Sequence, residues 1–341
     1  MSIITVGIDL AKNVFAVHGV NESGKAELLK PKVSREQLLP LIVQLPPCLI
    51  GMEACSGAHH WARLFRQHGH TVKLMAPKFV SPYRMSGKRG KNDAADAAAI
   101  CEAVTRPKMR FVPIKEQHQQ IILCLHRTRQ GFVEERTATY NRLRGLIAEF
   151  GIVLPQKVTC LRQRIGEYLE DLPGYANRCI GDLLAHADRL DAQIAHYDQA
   201  ISQAAREDTR SKRLMERPGI GPVTASALLA SIGNGHDFKN GRQVAAWIGL
   251  TPGQHSSGGK ARLGRITKAG DNYLRSLLVM GARAVLNSIG DKQDYFSRWA
   301  RSLVERRGYW RAVVAIAAKN ARLAWAVLKY GEDFRLKPSG V

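Results

Sequence analysis

Apolar and polar positions change period twice along the chain. Over the first hundred residues, short apolar runs alternate with amphipathic stretches. "IITVGIDL" is almost continuously apolar, as a strand covered on both faces would be. "NVFAVHGV" and "KAELLKPK" follow after turns and predict a three-strand antiparallel meander. "SREQLLPLIVQL" has a serine cap and helical spacing, with Pro40 as a point of kinking. "CLIGMEA" is a second buried strand, "GAHHWARLFRQHG" a helix ended by Gly69, and "TVKLMAP" a further strand. A small-residue helix, "NDAADAAAI", closes the series.

From Glu116 to Asp208 the spacing is helical and charges fill the gaps. The run "QQIILCLHRTRQGFVEERTATYNRLRGLIAEFG" is interrupted at "GIVLP", and a second helical run spans Ile180 to Ala205. Two long helices folding back as an antiparallel coiled coil are expected, as a spacer or dimerisation arm. Near Thr209 a third region begins. "RPGIGPVTASALLASIG" has the form of a helix-hairpin-helix, whose glycines Gly219 and Gly221 would let backbone N–H groups approach a phosphate. The chain thus divides into 1–115, 116–208 and 209–341. The expected class is α/β plus α. Three strands, helix, strand, helix, strand, helix is the order of a ribonuclease-H-like domain, followed by the coiled coil and a mostly helical C-terminal domain.

Charge adds a partner to this picture. The formal net charge is +22 over 341 residues. From Thr251 to Val341, 17 Lys and Arg face 6 Asp and Glu, so half of the excess lies in about a quarter of the chain. Such an excess points to a polyanion, and nucleic acid fits better than a membrane, because no basic amphipathic anchor is present. The start lacks a signal-peptide pattern and no apolar run is long enough to span a bilayer, so a cytoplasmic, nucleoid-associated protein is expected. The six cysteines are scattered without a zinc-site spacing and read as buried free thiols.

Acids are few, which makes their placement informative. Asp9 ends the first strand and Glu53 the fourth; Asp93 and Asp96 share one helix face. In a ribonuclease-H-like sheet the first and fourth strands are neighbours, so all four carboxylates would converge. They would repel unless cations neutralise them, and two Mg²⁺ ions about 4 Å apart suit phosphodiester chemistry. On this reading the alanines keep the helix slim for an approaching nucleic-acid backbone, with Lys88, Arg89, Lys91 and Lys12 nearby to hold it. The plain alternative is a strand-end turn residue and two acids complementing a helix dipole.

The loop "TPGQHSSGGKARLG" places two serines beside Lys260, Arg262 and Arg265, with Lys268 just beyond. An exposed serine among cations suits a nucleophile attacking phosphorus; a polar phosphate-binding loop is the other reading, and His255 is a candidate base.

"GIDLAK", "GMEA", "KNDAADAAAI", "RPGIGPVTA" and "GLTPGQHSSGGKARLGRITKAGDNYLR", in this order, resemble the DEDD-type insertion-sequence transposases, the bridge-RNA-guided recombinases. The "TPGQHSSGGK" version is similar to the branch whose elements carry subterminal inverted repeats. The resemblance covers about residues 3 to 330. It implies a RuvC-like domain, a coiled coil and a C-terminal transposase domain. It implies that Asp9, Glu53, Asp93 and Asp96 are the Mg²⁺-binding tetrad and that Ser257 is the nucleophile, with Ser256 the adjacent candidate. It further implies donor and target DNA, an element-encoded guide RNA, a homodimer, and a tetramer on DNA. The rival readings are a Holliday-junction-resolving nuclease that uses water, and a non-catalytic nucleic-acid-binding protein.

Overall fold

A computed structural model describes residues 2–84, 92–256, 260 and 262–331. Chain contacts divide it into two compact units, 1–116 and 117–341.

The first unit is built on a mixed sheet. The strands are β1 (Thr5–Asp9), β2 (Val14–Val20), β3 (Ala26–Ser34), β4 (Leu49–Glu53), β5 (Thr71–Met75) and the short β6 (Phe111–Val112), in the order β3-β2-β1-β4-β5-β6. β1 pairs antiparallel with β2 and parallel with β4, so the first and fourth strands are neighbours. Helices α1 (Arg35–Val43) and α2 (Ala58–Gln67) bury Leu38, Ile42, Trp61 and Phe65 in one core with Val6, Ile8, Ile50 and Met52 of the sheet. Pro40 lies inside α1, which is nevertheless one helix. After β5 comes a four-residue turn of helix, α3 (Pro77–Val80), and then α4 (Asp93–Val104). α4 packs on β1, β2 and β4, and its Ile100, Ala103 and Val104 share a second core with Met75 and Val80. Helix packing on both sides explains why β1 and β4 read as continuous apolar runs.

Glycine decides how closely α4 approaches. A Cβ on Gly7 would lie 2.2 Å from the Ala97 carbonyl oxygen, and one on Gly51 2.8 Å from the Val104 Cβ. Ala97, Ala99 and Ala103 are buried in turn. The alanine-rich stretch is therefore divided: Ala97 and Ala99 lie buried on the side of the sheet, while Ala94 is exposed and Ala95 and Ala98 are half-buried.

The second unit is helical. α5 (Gln117–Ala148) and α7 (Tyr175–Glu207), of 32 and 33 residues, pack against each other. They run antiparallel, since Arg129 pairs with Asp198 and Arg136 with Asp191. The connection is not a plain loop. It contains α6 (Val158–Leu169), whose Leu161 and Ile165 join Tyr140, Leu143, Ile147 and Ile180 in a separate small core. The base of the long pair packs on α9 (Pro222–Ile232), which follows α8 (Thr209–Met215). Then come α10 (Gly241–Ile248), a two-stranded ribbon of β7 (Pro252–Gln254) and β8 (Leu263–Ile266), and α11 (Asn272–Asn287), α12 (Tyr295–Arg307) and α13 (Tyr309–Tyr330). No described helix is long and apolar enough to cross a membrane. The cysteines are all free, as expected, but only Cys48 and Cys101 are buried; Cys55, Cys124 and Cys179 are exposed.

A buried polar cluster ties three of these helices together. His126 of α5 is 1% exposed. The Ser226 hydroxyl of α9 donates to the Pro222 carbonyl at 2.8 Å, so it accepts from His126 Nε2 at 3.0 Å. His126 Nδ1 therefore accepts from the Tyr273 hydroxyl of α11 at 2.9 Å. Burial, with Arg129 nearby, pushes the imidazole down to about 4. Its proton affinity is thus lower folded than unfolded, so the stability it contributes is complete above about 6.5 and is lost as pH falls towards 4. The loss over that window is about 3 kcal/mol. Thermal melts at pH 7 and pH 4.5 should show a fall that is smaller for His126→Gln than for the parent chain.

Candidate active site

Parallel pairing of β1 and β4 brings Ile8 opposite Met52, so the next residues along, Asp9 and Glu53, emerge at the same sheet edge. Asn92 caps α4 by accepting from the Ala95 N–H at 2.7 Å, which places Asp93 and Asp96 in the first helical turn. Asp96 is buried. Asp9 is pushed up to about 6, first by burial, then by the charges of Asp96, Asp93 and Glu53, with Arg84 acting in the opposite direction. The four acids predicted from the sequence therefore act on one another through their charges. They share one place in the fold.

Arg84, at the end of the turn that follows α3, is drawn into this cluster. Its Nε lies 2.6 Å from Asp96 Oδ1 and its Nη2 3.7 Å from Glu53 Oε1. Opposite charge draws the guanidinium to this place. Arg84 is not among the residues singled out from the sequence, because its partners come from β4 and α4. Lys12, in the β1–β2 turn, is exposed. Lys88, Arg89 and Lys91 lie outside the described residues.

The serine loop is the tip of the β7–β8 ribbon. Ser256 Oγ accepts from the Gln254 amide at 2.9 Å and from the Arg262 N–H at 3.2 Å, so this hydroxyl fastens the tip. His255 is exposed and its N–H is bound to the Arg262 carbonyl at 2.9 Å. Ser257 lies outside the described residues; Lys260, Arg262, Arg265 and Lys268 are all exposed. The ribbon's base is rigid. A Cβ on Gly270 would meet the Trp247 carbonyl at 1.8 Å, and one on Gly249 the Ala269 carbonyl at 2.2 Å. Buried Arg275 donates to the Ile248 carbonyl at 2.8 Å and to Asn272 at 2.6 Å. Lys268, at the same crossing, has φ of 52°.

The two hairpin glycines differ. Gly219, with φ of +85°, lies against α11, where a Cβ would meet the Gly281 carbonyl at 2.8 Å. It is a packing glycine. Gly221 caps α9 and has open space where a Cβ would project.

The model of the transposase IS116/IS110/IS902 family matches residues 211–297, and a DEDD-type IS110 transposase model matches residues 6–152. The chain is 45% identical to a probable family 20 transposase of Pseudomonas aeruginosa over 98% of this chain and 99% of that protein. It belongs to the IS116/IS110/IS902 transposase family. This transposase is also 38% identical to the transposase for insertion sequence element IS1111A of Coxiella burnetii, over 97% and 91% of the two chains. A pilin gene-inverting protein of Moraxella lacunata is 26% identical over 98% of both chains. The transposase is therefore an enzyme that acts on DNA, and its DEDD relationship goes with a divalent metal.

The donor set fits such an ion in its chemistry: hard carboxylate oxygens whose mutual repulsion a dication relieves. Among the described residues no three such side chains stand at metal-ligating geometry. Arg84 supplies the neutralising charge instead. Arg84→Met should therefore destabilise the metal-free transposase by about 3 kcal/mol at pH 7.5, because Asp96 is left buried without its partner. Melts in EDTA should show the loss, and millimolar Mg²⁺ or Mn²⁺ should restore more stability to the variant than to the parent.

Proposed function

We propose that this transposase is a site-specific DNA recombinase of an insertion sequence, guided by an element-encoded RNA, that cleaves and exchanges strands with Mg²⁺-bound carboxylates and a serine nucleophile. The observation that carries the reading is the placement of Asp9 and Glu53 on adjacent strand ends, electrostatically coupled to Asp93 and Asp96. We read the first unit as RuvC-like from its strand order, and the α5–α7 pair as a coiled-coil arm.

Asp9, Glu53, Asp93 and Asp96 would hold the metal, which when bound polarises the phosphodiester and stabilises charge on the attacking and leaving oxygens. Ser257 is the proposed nucleophile: its Oγ forms a bond to phosphorus as a deoxyribose oxygen leaves and takes up a proton. Ser256 is the weaker candidate because its hydroxyl already accepts two hydrogen bonds that fasten the ribbon tip. Lys260, Arg262 and Arg265 would stabilise charge developing at phosphorus, and Lys268, Lys12, Lys88, Arg89 and Lys91 would hold the backbone. Gly221 is the hairpin glycine suited to phosphate approach. Guide RNA, a homodimer contributing carboxylates and serine from different subunits, and a tetramer spanning two duplexes rest on the family relationship; action at the nucleoid rests on the charge of the chain.

Incubation with Mg²⁺, guide RNA and labelled donor and target DNA, followed by denaturation, should trap a protein–DNA adduct that maps to Ser257 by mass spectrometry. Ser257→Ala should abolish the adduct, and Asp96→Asn should slow strand transfer on the order of 10²–10³-fold while RNA binding persists. Efficient cleavage without an adduct would instead make water the nucleophile, as in a junction-resolving nuclease. Separately, Lys260→Ala with Arg262→Ala should reduce the slope of log affinity for DNA against log salt by about 2, measured by anisotropy. An unchanged slope would move the phosphate contact elsewhere.

A further inference from the structure

The first turn of α13 carries an aromatic feature that the carboxylate and serine chemistry does not use. Trp310 is 64% exposed. Tryptophan is on average well buried, so a largely solvated indole calls for an explanation. The ring is also held in place. The Arg283 guanidinium of α11 sits 5.6 Å from its centroid. The Tyr309 ring meets it edge-on at 5.3 Å and 81°. The Tyr309 hydroxyl donates to Asn287 of α11 at 3.3 Å, which fixes Tyr309 in turn. One turn before Arg283 on the same helix, Met280 is 63% exposed and lines an open cleft of about 1360 Å³ that also reaches Gly219 and Gly221 of the hairpin. Arg306, Arg307 and Arg311 flank the indole in sequence and are exposed.

We propose that Trp310, backed by Arg283, is a stacking platform for an unpaired base of single-stranded DNA. The inference rests on the reading of this chain as a strand-exchanging recombinase and names a partner for its helical unit. Strand exchange takes strands out of the duplex, and an unpaired base has an open π-face that an indole matches in area and polarity. A guanidinium against the ring adds cation–π attraction, and the neighbouring arginines attract the phosphates on either side. A second copy of this chain fits less well, because its arginines would face these arginines. A prebuilt ring costs little ordering on binding, which is why Tyr309 and Asn287 belong to the device.

The test is anisotropy with a fluorescein-labelled 20-nucleotide single strand of DNA, the matching duplex, and an RNA strand of the same sequence, in EDTA so that no strand is cut. Trp310→Ala should weaken single-stranded DNA binding about tenfold, the effect of losing one stacked base. Trp310→Phe should stay within threefold of the parent, and duplex affinity should change less than twofold. Arg283→Gln, which leaves the indole in place, should lose several-fold on the single strand. Since Trp310 is exposed, melting temperatures should be unchanged. An unchanged single-strand affinity for Trp310→Ala would overturn the proposal. So would a dependence seen only with RNA, or a change of oligomeric state in light scattering that makes Trp310 a protein contact. These readings need no catalysis, so failure of the serine–metal mechanism would leave them intact, and failure here would leave an adduct on Ser257 untouched.

Discussion

Close approach of α4 to the sheet is the constraint on which the carboxylate site depends. Gly7 and Gly51, on the neighbouring strands β1 and β4, present bare Cα atoms to α4, where the Ala97 carbonyl and Cys101 meet Gly7 and the Val104 side chain meets Gly51. A larger residue at either glycine would lift the helix by a side-chain radius. Asp96 would then leave the strand ends, and both the burial that chiefly raises Asp9 and the repulsion that adds to it would diminish. The site is thus set by steric economy beneath it, while its electrostatics are unfavourable for folding. Arg84 offsets part of that repulsion.

The helical unit solves a different problem, which is to set a short ribbon on a closely packed base. The ribbon bearing Ser256 rises from a crossing where Gly249 and Gly270 admit neighbouring carbonyls closer than any side chain would, and where Arg275 satisfies the last carbonyl of α10. α9, buried along almost its whole length, is fastened to α5 and α11 through His126, Ser226 and Tyr273. Such a network is rigid because each member has its partner, and replacing one would strand the others. The hairpin turn uses the same glycine device as the first unit: Gly219 and Gly281 let two backbones touch. Family membership and the basic surface place both units in the service of DNA.

The sequence by itself determined the elements and the acids. Continuous apolar runs locate β1 and β4, which are covered on both faces, and helical spacing locates α2, α5 and α7, each of which buries a stripe of its surface. The strand-end position of Asp9 and Glu53 was legible for the same reason: a buried strand makes its terminal acid conspicuous. α6 was not legible, since its helical spacing is short and follows a Gly- and Pro-containing break that reads as a loop. Which alanines of α4 face the sheet was not legible, because a small side chain looks the same whether it admits a sheet or a ligand. Tertiary structure alone decided that Arg84 faces Asp96 and Glu53, that Ser256 fastens the ribbon tip, that Gly219 belongs to packing, and that Trp310 stands out from the core against Arg283. Each of these depends on groups distant in sequence, or on a loop's closure, where no local period carries the information. Periodicity reports which face a residue shows, and only packing reports what that face meets.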